Sequence, residues 1–211
     1  MRLAGPGKKM VLGSLGAALA AFMGGSVWNC CLLTSLGGLC LAFSAFSAYF
    51  FRDPERPVLS GPEEILCPAD GTVMSIRQEG PAEVITVRIF LAIWNVHVQR
   101  APLSGTVKKI HYQPGGFAMA MKPEAARNER NSIRIQAEGG RFAIVEQIAG
   151  AIARRIACWV KEGEQVAVGV RIGMIYFGSQ CAVHLPASVK VLVHPGQKVQ
   201  GNLTVLAKWL A

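Results

Sequence analysis

The first 52 residues of this 211-residue chain contain no acidic side chain, because all 13 aspartates and glutamates come later. Residues 10–51 contain no charged side chain of either sign. About 20 apolar residues cross the hydrocarbon core of a bilayer as a helix, so this run is long enough for two crossings. The sequence therefore predicts a membrane anchor over residues 1–51, built as a helical hairpin, followed by a second domain over residues 52–211.

The basic residues that flank the uncharged run predict its orientation. Arg2, Lys8 and Lys9 precede it, and Arg52 and Arg56 follow it. Basic flanks favour the cytoplasmic side of a membrane, and a hairpin places both flanks there whereas a single crossing does not. We therefore expect a cell-membrane protein with its second domain on the cytoplasmic side.

A cleaved signal peptide is the alternative for this segment. The uncharged run continues well past a signal peptide's apolar region and ends in "YFFRDPERP", where aromatic and basic residues are typical of a membrane interface. Within the hairpin, residues 24–26 and 35–38 are the candidate hinges, since both contain paired glycines.

Cysteine motifs and nucleic-acid motifs are also lacking. The six cysteines include no C-x-x-C pair and no Cys/His cluster with metal-ligand spacing, so we expect reduced cysteines and no metal. The formal charge of +9 suits an anionic partner. Because basic and aromatic residues do not alternate and no recognition-helix pattern occurs, the expected partner is an anionic phospholipid surface and not nucleic acid.

The second domain has the sequence pattern of a β protein. Glycine and proline recur between short runs of β-branched and aromatic residues, and residues 132–147 form the clearest hairpin, with alternating apolar residues around "EGG". The fold class is mostly β, a sandwich or barrel. Only "EAARNER" and "AIARRIACW" are candidates for helix.

Two pairs of short sequences repeat within this domain. "DGTVMSI" at 70–76 returns as "SGTVKKI" at 104–110, and "GEQVAVG" at 163–169 resembles "GQKVQG" at 196–201. They predict two similar hairpin units related by internal pseudo-symmetry, unless Gly-Thr-Val is only a common exit from a β-turn. Lipoyl and biotinyl carrier domains have this symmetry, so a carrier domain modified at Lys122 is one alternative function.

Three residues could act together as a nucleophile, a base and a supporting carboxylate. Ser179 follows Gly178 in "YFGSQCAVHLP", and a hydroxyl in this position can attack the preceding carbonyl if the peptide is strained and accessible. The hydroxyl needs a base, and His97 backed by Asp70 could supply one. Each residue also has an ordinary structural explanation: Asp70 belongs to an Asp-Gly turn, and His97 lies within a strand.

Six sequence motifs together resemble the short-form phosphatidylserine decarboxylases, in the same order and from about residue 49 to residue 209. They are "FFRDPERP", "PADGTV", "NVHVQRAPLSGTV", "NERN", "QIAGAIARRIACWV" and "IYFGSQCAVHLP". Members of this family are proenzymes that cleave themselves at a Gly-Ser bond. The resemblance implies attack of Ser179 on the Gly178 carbonyl, which leaves a β chain that ends at residue 178 and an α chain, 179–211, that begins with a pyruvoyl group derived from Ser179.

The resemblance also implies the reaction. The pyruvoyl cofactor would form a Schiff base with the amine of phosphatidylserine and act as an electron sink while carbon dioxide leaves. Loss of carbon dioxide would give phosphatidylethanolamine, so the resemblance implies a carboxy-lyase of phospholipid biosynthesis. A homo-oligomer is expected. Some relatives use archaetidylserine, the ether-lipid analogue, and the residues leave that alternative open.

The site residues carry over from the family one at a time. Ser179 matches the nucleophile, and Asp70 matches the acidic member of the processing triad. His97 matches the first histidine of a two-histidine motif that is found in longer relatives. Longer relatives have a second histidine three residues on, where this chain has Arg100. His97 would therefore serve self-cleavage, protonation during turnover, or both.

Overall fold

The computed structural model describes residues 2–78, 84–118, 127–150, 155–176 and 179–210, and for Ser179 it describes the backbone alone. The chain divides into two compact units, Met1–Glu55 and Arg56–Ala211. Each unit has its own secondary structure.

The first unit is a pair of helices, α1 (Gly5–Val27) and α2 (Cys31–Phe50). The short strands β1 (Arg2–Leu3) and β2 (Arg52–Asp53) pair with each other beyond the helix ends. Both helices are long and apolar enough to cross a membrane. The predicted N-terminal pair of apolar helices is therefore confirmed.

The predicted position of the hinge is wrong, because both glycine-containing candidates lie inside helices. The chain turns instead at Asn29, which has a φ of 45°. The glycines serve helix packing: a Cβ on Gly25 would lie 2.5 Å from the Thr34 hydroxyl, and one on Gly37 would lie 2.8 Å from the Phe22 ring. Small residues at such contacts let two apolar helices approach closely.

The second unit is built from antiparallel strands. They are β3 (Glu64–Leu66), β4 (Gly71–Gln78), β5 (Val84–Leu91), β6 (Val98–Arg100), β7 (Gly105–Gln113), β8 (Arg130–Gln136), β9 (Phe142–Ala149), β10 (Ile156–Cys158), β11 (Gln165–Val166), β12 (Arg171–Ile175), β13 (Ser179–Pro186), β14 (Val189–Val191), β15 (Lys198–Val199) and β16 (Val205–Trp209). The predicted mostly-β fold class is confirmed.

One sheet of eight strands dominates this unit, in the order β11-β7-β8-β9-β13-β5-β4-β15, and it curls into a half-barrel. Two three-stranded sheets, β10-β12-β6 and β14-β16-β3, accompany it. The core contains the inward residues of the large sheet, among them Val87, Ile133, Val145 and Val183. The predicted hairpin is confirmed, with Ile133 opposite Val145 and a short 3₁₀ turn at Glu138–Gly140.

The predicted pseudo-symmetry is also confirmed, because the repeated sequences occupy equivalent places. β4 pairs with β15 at one edge of the large sheet, and β7 pairs with β11 at the other. The Val73 carbonyl accepts a 2.8 Å hydrogen bond from Gly196, and the Val107 carbonyl accepts one of 2.8 Å from Gly163. Both glycines have a φ near +85°, which residues with a Cβ rarely adopt.

The two helix candidates of this domain are only partly described. Residues 124–126 and 151–154 lie outside the described residues. In the second candidate, Ile156–Cys158 is β10 and pairs with β12, so the helix prediction is wrong at those residues. Pairing with a neighbouring strand outweighs the helix preference of an alanine-rich segment.

Candidate active site

Ser179 is the first residue of β13, a strand held on both sides. It lies opposite Leu91 of β5 and Ala149 of β9. Every residue of β13 pairs with β5, and the first six also pair with β9. The segment that begins at Ser179 would therefore stay in the sheet if the preceding peptide bond were broken. Gly178, the other residue of the predicted cleavage site, lies outside the described residues.

His97 is fully buried immediately before β6. Its Nδ1 lies 2.9 Å from the main-chain oxygen of Asn95. Because a carbonyl oxygen can only accept, Nδ1 carries a proton, and in the neutral form of the ring the lone pair is on Nε2. This is the tautomer that a general base requires.

A tight turn connects His97 to the strand beside Ser179. β5 ends at Leu91, and the next residue, Ala92, donates its N–H to Asn95 Oδ1 at 2.9 Å. The Asn95 N–H donates back to the Ala92 carbonyl at 2.8 Å. The backbone of His97 also accepts a 3.3 Å hydrogen bond from Ile175, four residues before Ser179. The fold thus brings His97 and Ser179 to the same end of the large sheet.

Asp70 precedes β4 and is bound by Arg56. Both terminal guanidinium nitrogens contact the carboxylate, with Nη2 2.8 Å from Oδ2, and the Gly201 N–H donates to Oδ1 at 2.8 Å. The side chains of Arg56 and Asp70 are 11% and 10% exposed, so this is a largely buried ion pair. Among the described residues the carboxylate binds these two partners and not His97.

Two strand spacings separate the start of β4 from the start of β13. Thr72 pairs with Phe90, and Phe90 pairs with Gln180, so these backbones are roughly 10 Å apart. The structure therefore places Asp70 at the same end of the sheet as Ser179 without joining it to His97. Sequence reasoning missed the partnership of Arg56, which it assigned only to the membrane flank.

Sequence reasoning also missed a buried chain of amides behind His97. Asn131 Nδ2 donates to Gln147 Oε1 at 3.0 Å, Gln147 Nε2 donates to Gln99 Oε1 at 2.9 Å, and Gln99 Nε2 donates to the His97 carbonyl at 2.8 Å. Gly173 leaves room for this chain, because a Cβ there would lie 2.6 Å from Gln147 Nε2. The available signal was strand alternation, which places Asn131 and Gln147 in phase with core residues.

Two buried thiols lie near these residues. Burial raises the pKa of Cys67 to about 12, and it raises the pKa of Cys181 well above the usual value. A thiol that stays protonated is a poor nucleophile. Neither thiol is therefore an activated nucleophile.

Comparison with known proteins identifies the family of this chain. The family model for phosphatidylserine decarboxylase matches residues 43–207. The chain belongs to the phosphatidylserine decarboxylase family. Proteins named phosphatidylserine decarboxylase proenzyme are similar to it: that of Ehrlichia chaffeensis is 44% identical over 82% of this chain and 80% of its own length, and that of Burkholderia vietnamiensis is 38% identical over 84% and 87%.

Arg100, which occupies the position of the second histidine of longer relatives, hydrogen-bonds two main-chain carbonyls. Its side chain donates to the Gly169 carbonyl at 3.1 Å, and its N–H donates to the Pro68 carbonyl at 2.9 Å. The second contact links the "NVHVQR" motif to the "PADG" motif. A guanidinium stays protonated at neutral pH, so Arg100 is not a candidate base.

A second polar cluster joins β13 to its neighbours on the outer face of the sheet. His184 Nδ1 lies 2.9 Å from Thr86 Oγ1, and His184 Nε2 lies 3.5 Å from Glu146. Burial alone would raise the pKa of Glu146, but His184, Arg130 and Arg88 outweigh it and hold that pKa below its usual value. In a cleaved decarboxylase these contacts would connect the α chain to the β chain.

Proposed function

We propose that this protein is a phosphatidylserine decarboxylase, which converts phosphatidylserine to phosphatidylethanolamine and carbon dioxide. Family membership supports the reaction. The observation that carries the assignment is the position of Ser179 at the start of a doubly paired strand, at the same end of the sheet as the buried His97.

The proposed first event is self-cleavage. The Ser179 hydroxyl attacks the Gly178 carbonyl and passes its proton to a base, for which His97 Nε2 has the right tautomer. The acyl group moves from nitrogen to oxygen, and β-elimination then breaks the Cβ–O bond and releases the Gly178 carboxylate. Hydrolysis and loss of ammonia leave a pyruvoyl group at residue 179. The name proenzyme, carried by the relatives, is consistent with this processing.

The fold suits a covalent group at residue 179. The backbone there is fixed by Leu91 and Ala149, and the next side chain, Gln180, is buried. The pyruvoyl group supplies an electron sink for decarboxylation. Beside it, His97 would hold or deliver a proton at Nε2, and the amide chain that ends on its carbonyl would keep it in place.

Asp70 is proposed as a positioning residue. Its ion pair with Arg56 and its hydrogen bond from Gly201 hold the segment just before β4, and the Arg100 N–H holds the same segment at the Pro68 carbonyl. The two N-terminal helices would keep the enzyme at the membrane that contains its substrate. The basic flanks support a catalytic domain on the cytoplasmic side.

Intact mass and a lipid assay on the purified full chain test this proposal together. We expect two fragments, with the smaller covering residues 179–211 and blocked at its first residue, and conversion of phosphatidylserine to phosphatidylethanolamine. The ether-lipid analogue is assayed in parallel to define the preferred substrate. An active preparation that consists of an uncleaved 22.6 kDa chain would contradict the mechanism.

Asn95→Ala tests the proposed placement of His97. The change removes the side-chain acceptor of the turn, and we expect self-cleavage to slow by roughly tenfold to a hundredfold because a base displaced by about 1 Å loses efficiency. Asn95→Asp retains an oxygen acceptor and should restore most of the rate. The measurement is the cleaved fraction against time after synthesis, and a wild-type rate for Asn95→Ala would show that the turn does not position His97.

A further inference from the structure

Two exposed aromatic side chains lie in loops that are attached to the two strands beside Ser179. Trp94 is 64% exposed and Phe117 is 38% exposed. Exposure of large aromatic surface to water is unfavourable, and aromatic residues are enriched where proteins meet the membrane interface. Both residues are therefore candidates for contact with a membrane next to Ser179.

Trp94 is attached on the β5 side. It lies within the turn that follows Leu91, the residue opposite Ser179. Ala92 and Asn95 close this turn with two hydrogen bonds, at 2.9 Å and 2.8 Å. The backbone that carries Trp94 is therefore held at a constant distance from the start of β13.

Phe117 is attached on the β9 side. The buried Asn128 side chain accepts from the Ala118 N–H at 2.7 Å and donates to the Ala118 carbonyl at 2.8 Å. The same amide donates to the carbonyl of Ala149 at 2.7 Å, and Ala149 is the other residue opposite Ser179. One buried asparagine thus ties the loop of Phe117 to the strand next to the reaction centre.

Two exposed arginines lie on segments that are hydrogen-bonded to this end of the domain. Arg127 and Arg155 are both exposed. Arg127 adjoins Asn128, and the Arg155 carbonyl accepts a 3.1 Å hydrogen bond from Tyr176, three residues before Ser179. Arginines close to exposed aromatic residues suit a bilayer interface with anionic headgroups.

We propose that Trp94 and Phe117 are a lipid-contact pair that rests on the bilayer surface on either side of Ser179, with Arg127 and Arg155 facing anionic headgroups. The inference rests on the proposed function and adds the partner surface through which that function reaches its substrate. With this end of the sheet on the membrane, a phospholipid headgroup reaches residue 179 while most of its acyl chains stay in the bilayer. Less apolar surface then enters water during each turnover.

Kinetics on two forms of phosphatidylserine test the pair in the full-length chain. We compare the wild type with Trp94→Ser/Phe117→Ser, using long-chain lipid in vesicles and short-chain lipid dissolved below its micellar concentration. The double variant should lose roughly tenfold in initial rate on vesicles and stay within about twofold of wild type on dissolved lipid. Self-cleavage to the wild-type extent shows that the variant has folded.

Leu210→Ser is the matched control, because Leu210 is 58% exposed. It adjoins Trp209, which packs against Arg141 beside the turn between β8 and β9, at the opposite end of the sheet from Ala149. This control should match the wild type on both substrates. Equal losses of the double variant on both substrates, or no loss on vesicles, would overturn the proposal.

Fluorescence provides a readout that does not need activity. The difference in emission between the wild type and Trp94→Phe isolates Trp94, and vesicles with brominated acyl chains should quench that difference. Unquenched emission would overturn the lipid contact even if the enzyme is active. Conversely, quenching in a wild type that decarboxylates neither lipid would reject the proposed function and leave the contact supported.

Discussion

Replacement of Ser179 by alanine is expected to leave the protein as one 22.6 kDa chain without decarboxylase activity. Alanine has no hydroxyl to attack the Gly178 carbonyl, so neither the ester nor the pyruvoyl group can form. The backbone pairing with Leu91 and Ala149 does not depend on the side chain, so the fold should persist. We expect activity below roughly one ten-thousandth of the wild-type rate, measured by lipid assay and intact mass.

Cys181→Ala is the matched control for this experiment. Cys181 lies two residues along the same strand, is fully buried and belongs to the hydrophobic core. Its replacement should cost roughly 1–2 kcal/mol of folding free energy and leave self-cleavage intact. Two fragments from Ser179→Ala would mean that another residue provides the nucleophile.

The repeated sequences correctly predicted two equivalent strand pairs at the edges of the large sheet, because each repeat contains the turn and strand residues that form its pair. Gly-Thr-Val begins β4 and β7, and a glycine with positive φ precedes the partner strand at both edges. Alternation likewise predicted the hairpin around Ile133 and Val145, because one face of each strand is buried. These features depend on neighbouring residues, so a single sequence contains enough information to find them.

Contacts between distant segments could not be predicted in the same way. The ion pair of Arg56 with Asp70 joins residues 14 apart, and the Gly201 contact spans 131 residues. The hinge of the helical pair was missed because glycine is compatible both with a turn and with close helix packing, and only the partner helix decides between them. For the candidate site, the motifs proposed Ser179, His97 and Asp70, but they did not predict the amides that fasten His97 or the arginine that binds Asp70.

The residue equivalent to Asp70 in the other repeat shows which contact at this turn does not need a carboxylate. Under the pseudo-symmetry Asp70 corresponds to Ser104, whose hydroxyl accepts a 2.9 Å hydrogen bond from Val168, as Asp70 accepts one from Gly201. A serine is therefore sufficient to accept the N–H at this turn. The carboxylate of Asp70 adds a negative charge, which is bound by Arg56.

We therefore expect Asp70→Asn to have two effects. Asparagine keeps an acceptor for Gly201 but leaves Arg56 buried without its counter-charge, which should lower the free energy of unfolding by about 3 kcal/mol. Self-cleavage should also slow by at least roughly tenfold if the carboxylate orders the site. Urea unfolding in detergent and the time course of cleavage measure the two effects separately.

The double variant Arg56→Met/Asp70→Asn distinguishes folding from chemistry. It removes both charges of the pair, and an apolar replacement of a buried ion pair commonly restores stability to within about 1 kcal/mol. If the carboxylate contributes to processing, this stable variant should still cleave as slowly as Asp70→Asn. Ser104→Ala, the control at the equivalent position, should lose about 1 kcal/mol and cleave normally. Cleavage of the double variant at the wild-type rate would show that Asp70 serves only to neutralise Arg56.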